Sequence, residues 1–238
     1  PIAHVGGMSV VTRAMLAGAA FVCADRFDER AFLQALSDAR VTVASLVPTM
    51  LQRVLNVADG PPPSTLRAVL VGGGPCAPSL VARARRAGWP VLLTWGMTEA
   101  CSQIATQPLT AALSDADDDC ADVGAPLPGF EVALRGDRAW IRGAAMMRGY
   151  LGEPPAFDAD GWFDSRDDVA WTTRGTLRIL GRGRELIISG GENVYPAEVE
   201  NALCAVPGIE GACVVGVPDA EWGERVVAVV VGDPSAEA

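Results

Sequence analysis

Lysine is absent from this sequence, so all 19 basic side chains are arginines. Only one histidine, His4, is present, and no two of the six cysteines form a C-x-x-C pair. A zinc site of the usual type needs several such side chains, so we predict no zinc site and free thiols. Because His4 is the single candidate base, a Ser–His–Asp hydrolase is excluded as well.

Long apolar runs are also missing. No stretch reaches the roughly 18–20 apolar residues of a membrane-spanning helix, and no signal peptide is visible. The 238 residues carry 29 acidic and 19 basic side chains, a net charge of −10. Such a surface repels nucleic acid and anionic lipid. We therefore expect a cytoplasmic protein that binds anionic ligands only through local groups, such as arginines, a metal ion or helix N-termini.

Periodicity divides the chain into parts. Residues 1–108 alternate helices with short buried strands, which predicts α/β architecture with a mostly parallel sheet. Residues 109–180, which include the acidic segment 114–119, contain short strands divided by Gly, Pro and Asp, which predicts a small β-barrel-like unit. The segment 181–184 (GRGR) is predicted to be a hinge, and residues 185–238 a partial C-terminal α+β unit. Helices are predicted over 30–39, 79–87 and 197–205, and strands over 41–46, 66–70, 91–94, 131–134, 139–142, 176–179, 211–217 and 225–231.

Two polar segments follow strands of the first part. Val71–Pro75 (VGGGP) places three glycines after a strand, where a bare backbone lets a ring or phosphate approach closely. Thr94–Glu99 (TWGMTE) also follows a strand, and there Thr98 can donate to a phosphate oxygen while Glu99 can hold Mg²⁺. Both segments also have explanations without a ligand, namely a glycine turn and a helix start capped by Thr98.

Two further segments lie later in the chain. Gly161–Asp168 (GWFDSRDD) is predicted as an acidic turn, whose carboxylates suit ribose hydroxyls but equally a solvated turn. In Gly181–Tyr195, Arg182 and Arg184 flank a glycine and suit phosphate, because a guanidinium forms a planar fork of donors. The pair Gly190–Gly191 permits a close ligand, although a hinge and a hairpin turn explain the same segment.

The order and spacing of these segments resemble the acyl-adenylate-forming superfamily of acyl-CoA synthetases, peptide-synthetase adenylation domains and luciferases. PIAHVGG resembles its histidine segment, VGGGP its adenine loop and TWGMTE its Y-G-x-T-E signature. GAPLPG, GWFDSRD and GRGRELIISGGENVYPAEVE are similar to later motifs, so the resemblance covers essentially the whole chain. Within the superfamily, VPTMLQRVL and GMTEACSQIAT look most like o-succinylbenzoate–CoA ligases of menaquinone biosynthesis; LIISGGENVYPAEVE occurs more widely.

The resemblance implies an ATP-dependent acid–CoA ligase with ATP, Mg²⁺ and CoA as ligands. A carboxylate, here o-succinylbenzoate, would form an acyl-adenylate, and CoA would then displace AMP. The implied nucleotide contacts are Gly72, Gly73, Gly74, Trp95, Gly96, Thr98, Asp167 and Arg182. The other implied roles are catalysis by Thr98, Glu99 and Arg182, Mg²⁺ binding by Glu99, acyl binding by His4, Ser102 and Gln103, the hinge at Arg184, and CoA binding by Gly190 and Gly191.

The sequence departs from the superfamily's motifs in several places. Trp95 replaces a tyrosine and keeps a stacking surface, and Arg166 replaces a glycine. Asp168 replaces an apolar residue, which leaves open whether Asp167 or Asp168 binds ribose. The superfamily's phosphate loop and catalytic lysine fall outside the chain by this alignment, so we expect the chain as given to be incomplete or inactive. Another acyl- or aryl-CoA ligase and a nucleotide-binding pseudoenzyme are alternatives, and a homodimer is left open.

Overall fold

The computed structural model describes residues 2–112, 120–183, 186–219 and 221–232. The acidic segment 114–119 and the predicted hinge residue Arg184 lie outside these residues. The helices are α1 (Val5–Ala17), α2 (Glu29–Asp38), α3 (Pro48–Val57), α4 (Pro78–Arg86) and α5 (Pro196–Cys204). The strands are β1 (Val43–Leu46), β2 (Ala68–Val71), β3 (Val91–Met97), β4 (Ser102–Thr106), β5 (Ala125–Pro126), β6 (Phe130–Arg135), β7 (Arg138–Gly143), β8 (Phe163–Trp171), β9 (Leu177–Arg182), β10 (Ile187–Ser189), β11 (Glu192–Val194), β12 (Ile209–Asp219) and β13 (Gly223–Gly232).

The first sheet has the order β1-β2-β3-β4-β5. Its first three strands are parallel, and β4 and β5 run antiparallel. Parallel neighbours need a crossover connection, which α3 and α4 supply, each beginning with a proline at a first helical position. Leu51 and Val54 of α3 and Val81 of α4 are fully buried with Val69 and Val91 of the sheet. These features confirm the predicted α/β class, but the sheet is mixed and not mostly parallel, because two of its four strand pairs are antiparallel.

The second sheet is antiparallel with the order β6-β7-β8-β9. The acidic segment 161–168, predicted as a turn, lies mostly in β8, so that prediction is wrong. The turn falls earlier, where the amide of Gly161 donates to the carbonyl of Asp158 over 3.0 Å. Strand structure is favoured because Phe163 and Val169 bury apolar side chains in the core. The carboxylates between them are tolerated because they pair with arginines of β7 and β9.

The third sheet has the order β11-β10-β13-β12 and is antiparallel. Helix α5 is tied to it by Glu200, whose Oε1 accepts a hydrogen bond from the amide of Val214 over 2.8 Å. The first and second sheets share one hydrophobic core, which contains Trp95 and Ile104 of one and Ile141 of the other. The division into units at 108, 180 and 184 stays a prediction. Across the described ranges, no helix combines the length and apolar character required to cross a membrane.

A buried polar network also joins the first two sheets. Arg85 donates to Gln107 Oε1 over 2.8 Å, and Gln107 Nε2 donates to Asp122 Oδ1 over 3.4 Å. Asp122 Oδ2 accepts from Arg174 over 2.6 Å and from the Thr176 hydroxyl over 3.1 Å. Arg85, Gln107 and Asp122 are at most 4% exposed. Because buried charges need satisfied partners, this network sets how the β8–β9 turn sits against the first sheet.

Candidate functional site

The glycine loop after β2 lies beside β3. A Cβ at Gly72 would stand 2.4 Å from Oγ1 of Thr94, so only glycine fits there without a shift. Thr94 Oγ1 in turn donates to the carbonyl of Val71 over 3.4 Å. Gly73 has a φ of 83°, which glycine adopts without strain. Gly74 is exposed and has open space around it, so this loop presents bare backbone at the carboxyl end of the parallel strands.

Trp95, Asp167 and Arg182 form a chain of polar contacts between the two sheets. Trp95 Nε1 donates to Asp167 Oδ2 over 2.9 Å. Asp167 Oδ1 lies 3.3 Å from Arg182 Nε, and the two residues are directly opposite in the β8–β9 register. Trp95 is only 6% exposed, so its ring offers little of the stacking surface that the sequence suggested. The structure thus brings together three of the predicted nucleotide residues.

The neighbouring aspartate has a different environment. Asp168 is 5% exposed, and its Oδ1 accepts from Arg138 Nε over 3.0 Å. That pairing gives Asp168 a structural function within the second sheet, whereas Asp167 faces the first sheet. Between β8 residues, Arg166 has a φ of 62°, a left-handed conformation that favours glycine. This conformation explains the glycine of the superfamily's motif at this position, because glycine adopts it without strain. Arg166 adopts the same conformation with strain.

Thr98 and Glu99 lie in a short 3-10 turn, Thr98–Ala100, after β3. Its N-cap position is Met97, so the alternative that made Thr98 a helix cap is wrong. The turn is tightly constrained, because Cys101 and Ser102 have φ values of 56° and 108°. Strain at two consecutive non-glycine residues is typical of functional sites. Gly96 is fixed by packing, since a Cβ there would stand 1.8 Å from the Ser102 carbonyl oxygen.

The Glu99 carboxylate contacts Tyr150, which is not among the predicted site residues. Tyr150 Oη donates to Glu99 Oε1 over 2.7 Å. This bond, together with desolvation, raises the pKa of the Tyr150 phenol above its ordinary value. In the described part of the chain, the other carboxylate oxygen of Glu99 accepts no hydrogen bond. Tyr150 is one of only two tyrosines in the sequence, and this scarcity is the one feature that could have marked it as a candidate site residue.

The predicted acyl residues lie on α1 and β4. His4 is the N-cap of α1, and its Nδ1 accepts a hydrogen bond from the amide of Gly6 over 3.3 Å. Gln103 Oε1 accepts from Arg13 Nη1 over 2.7 Å, so α1 is joined to β4. Arg13 was not among the predicted residues, although it is the only cation of α1 and interrupts its apolar sequence. The structure therefore places a guanidinium beside the predicted acyl residue Gln103.

The glycine pair predicted for CoA forms a hairpin turn. Gly190 and Gly191 join β10 to β11 with φ values of 59° and 87°, and Ser189 lies opposite Glu192. Such a two-residue turn requires positive φ at both positions. A Cβ at Gly190 would stand 2.8 Å from the Trp222 ring, so packing also requires glycine there. Gly191 is exposed, with open space around it.

Family comparisons agree with this geometry. The model described as "AMP-binding enzyme" matches residues 1–151, and "AMP-binding enzyme C-terminal domain" matches residues 198–238. A 2-succinylbenzoate–CoA ligase of Enterococcus faecalis is 37% identical to this chain, over 98% of this chain and 50% of that protein. The chain spans about half the length of the curated relatives it matches.

Solved structures show the same likeness. The o-succinylbenzoate CoA synthetase of Bacillus subtilis in complex with the acyl-adenylate intermediate OSB-AMP has a TM-score of 0.89 and 32% identity, covering 100% of this chain and 51% of that one. The same enzyme in complex with ATP and magnesium ion has a TM-score of 0.86 and 31% identity, covering 98% and 50%. The amide bond synthetase McbA of Marinactinospora thermotolerans has a TM-score of 0.88 and 30% identity, covering 98% and 50%. Since the first family model matches well over half of the sequence, this chain belongs to the AMP-binding enzyme family.

Proposed function

We propose that the protein is an ATP-dependent acid–CoA ligase whose acid is 2-succinylbenzoate. The observation that carries the proposal is the convergence of separate motifs at one edge of the first sheet. The loop of Gly72–Gly74 abuts Thr94, and the next residue, Trp95, bonds to Asp167 of the second sheet. Four residues later stands Glu99. Ligands of open α/β sheets bind at the carboxyl ends of the strands, and these groups suit adenine, ribose and phosphate.

Asp167 is the proposed ribose ligand. Its carboxylate is held by Trp95 on one oxygen and by Arg182 on the other, so its orientation is set before a nucleotide arrives. Preorganised carboxylates bind vicinal hydroxyls well, because little ordering remains to be done. Asp168 is assigned no ligand, because its side chain is more buried than that of Asp167 (8% against 15% exposed) and pairs with Arg138 inside the second sheet.

The first step joins the acid to the nucleotide. A carboxylate oxygen attacks the α-phosphorus of ATP, the bond to the bridging β-phosphate oxygen breaks, and pyrophosphate leaves. Thr98 is exposed at the turn and its hydroxyl can donate to a phosphate oxygen. Arg182, 59% exposed at its side chain, supplies a cation. In a chain of net charge −10, such local cations bring two anions together.

Glu99 is the proposed ligand of Mg²⁺. The ion usually takes one or two carboxylates and completes its shell with water and substrate phosphates. One carboxylate with an oxygen that accepts no hydrogen bond in the described part fits that mode. Bound there, Mg²⁺ would neutralise charge on the phosphates.

The second step transfers the acyl group to CoA. The thiol sulfur attacks the acyl carbonyl carbon, the bond to the AMP oxygen breaks, and AMP leaves with the thiol proton released to solvent. We assign Gly190 and Gly191 to the CoA passage because their turn exposes bare backbone, and Arg184 to the hinge. His4, Ser102 and Gln103 are assigned to the acyl pocket. Arg13 beside Gln103 is a suitable partner for the second carboxylate of a dicarboxylic acid.

An amide-forming activity is the second candidate, since McbA is as similar in structure as the CoA synthetases. In that case an amine would capture the acyl-adenylate in place of the thiol. The relatives described above are named as ligases and synthetases, which gives the pseudoenzyme alternative no support. A different aryl or acyl acid also stays open.

The test is AMP release by the gene product that contains this chain. With ATP, Mg²⁺ and CoA, 2-succinylbenzoate should give AMP and an acyl-CoA in equal amounts, and Asp167→Asn should lower the rate. Benzoate and succinate serve as control acids. AMP release that depends on an added amine and not on CoA would support the amide-forming candidate. Nucleotide binding without AMP release from any acid would contradict both.

A further inference from the structure

One loop of the second sheet holds Glu99 by both its backbone and its side chain. This loop, residues 144–150, follows β7. The amide of Met147 donates to the carbonyl of Glu99 over 2.6 Å, and Tyr150 Oη donates to Glu99 Oε1 over 2.7 Å. Tyr150 and Glu99 are 51 residues apart in the sequence. Their contact is therefore purely tertiary.

Further contacts, on both sides of the bonds to Glu99, hold the loop in place. Met146 packs against the main hydrophobic core, and its amide donates to the carbonyl of Gly143 over 3.2 Å. Beyond Tyr150, the amide of Glu153 donates to the Tyr150 carbonyl over 3.3 Å. These bonds on either side fix the path of the backbone that carries the tyrosine.

Burial does not explain the placement of Tyr150. The residue remains 48% exposed, so little apolar surface is removed from water by this conformation. What the placement does achieve is a hydrogen bond to an ionised carboxylate, which is stronger than one between neutral groups. That bond occupies one oxygen of Glu99 and leaves the other without a hydrogen-bond donor in the described ranges.

We propose that Tyr150 is a positioning residue for the divalent cation. By binding Oε1, its hydroxyl holds the Glu99 side chain in one rotamer, so that Oε2 faces the incoming cation. Partners that orient a metal ligand in this way commonly change metal affinity by 10–100-fold when removed. Met147 fixes the backbone of the same residue. This inference rests on the proposed function, because it takes Glu99 as the ligand of Mg²⁺.

The experiment compares Tyr150→Phe with the wild type, both in the gene product that contains this chain, in calorimetric titrations of ATP at a series of Mg²⁺ concentrations. Tyr150→Phe should raise the Mg²⁺ concentration for half-maximal ATP binding by about tenfold. The affinity for AMP without Mg²⁺ should stay within twofold, because AMP binding does not use Glu99. Tyr195→Phe is the matched control; within the described residues its hydroxyl makes no hydrogen bond, and its Mg²⁺ midpoint should equal that of the wild type.

A second readout needs no nucleotide. In the free protein, Tyr150→Phe should speed amide hydrogen exchange at Met147 several-fold and leave the strands of the first sheet unchanged. An unchanged Mg²⁺ midpoint with unchanged exchange at Met147 would overturn the positioning role. So would equal losses for AMP and Mg·ATP, which would indicate a general structural role. If the wild type binds neither nucleotide, the proposed function fails, and the exchange rates alone decide whether Tyr150 holds the Glu99 turn.

Discussion

The indole Nε1 of Trp95 donates to Asp167 Oδ2 over 2.9 Å, across 72 residues of sequence. The bond joins the last part of β3 to β8 and leaves Asp167 paired also with Arg182. A superfamily tyrosine at position 95 would present its hydroxyl at a different place, so the tryptophan is not a neutral replacement. It links the candidate ribose ligand directly to the sheet that carries the candidate phosphate residues.

Removal of this donor should weaken nucleotide binding. Trp95→Phe keeps most of the ring but loses the bond to a carboxylate, worth roughly 1.5 kcal/mol, so the Kd for AMP should rise about tenfold. Calorimetry with AMP measures the change. Trp89→Phe is the matched control, because Trp89 is fully buried and its Nε1 has no partner among the described residues. Equal losses in the two variants would show that the hydrogen bond is irrelevant.

The backbone at Arg166 should prefer glycine. At a φ of 62° a non-glycine residue is strained by about 1–2 kcal/mol. Glycine removes this strain, but its larger conformational entropy in the unfolded state offsets part of the gain. Arg166→Gly should therefore raise the free energy of unfolding by about 0.5 kcal/mol. Gln34→Gly, at an exposed position in the middle of α2, should instead lower it by about 1 kcal/mol. Urea titrations of both variants decide, and destabilisation by Arg166→Gly would contradict the strain.

The Asp122 network should contribute strongly to stability. Asp122→Asn removes the negative charge of a residue that is 3% exposed, and its amide nitrogen cannot accept the bonds that Oδ2 accepts from Arg174 and Thr176. Since Arg174 is partly solvated, we expect a loss of about 2 kcal/mol in the free energy of unfolding. Asp59→Asn, at an exposed position, should change it by less than about 0.5 kcal/mol. Similar thermal midpoints for the two variants would argue against a buried network.

Acid should weaken the turn before β8. Asp158 Oδ1 accepts from the amides of Trp162 and Asp160, and Oδ2 accepts from Arg135. These bonds, chiefly that from Trp162, lower the pKa of Asp158 below its ordinary 3.8. A lowered pKa stabilises the fold above pH 3.8, and this contribution is lost as the pH falls through the folded-state value. The stability difference between wild type and Asp158→Asn should thus shrink below pH 4; a constant difference would contradict this.

The thiols should differ widely in reactivity. Desolvation raises the pKa of Cys76 to about 12, although Arg85 opposes the shift. Because the thiolate is the nucleophile, ionisation alone should slow its alkylation roughly 1,000-fold at pH 8 relative to an unshifted thiol. Cys101 is exposed and serves as the internal comparison. Iodoacetamide labelling followed by mass spectrometry measures both sites, and equally fast labelling of Cys76 and Cys101 in the folded protein would contradict the raised pKa of Cys76.

Local signals sufficed for much of the secondary structure. The helices at 30–39, 79–87 and 197–205 agree with α2, α4 and α5 within about one residue, because apolar spacing and prolines act over short distances. Neither α1 nor α3 is among the predicted helices: α1 contains two glycines near its start, and α3 begins at Pro48, just after β1. A proline can end a strand or begin a helix, and only packing separates the two.

By itself, the sequence determined the α/β class, the family and the order of the candidate motifs, since these depend on local composition and spacing. It could not decide which aspartate faces the site. That choice depends on the β8–β9 register and on Trp95 and Arg138, which reach Asp167 and Asp168 from distant strands. Nor could it show Tyr150 at Glu99. Side-chain pairing across sheets follows from tertiary packing, because its geometry is set by the shared core and not by neighbours in the chain.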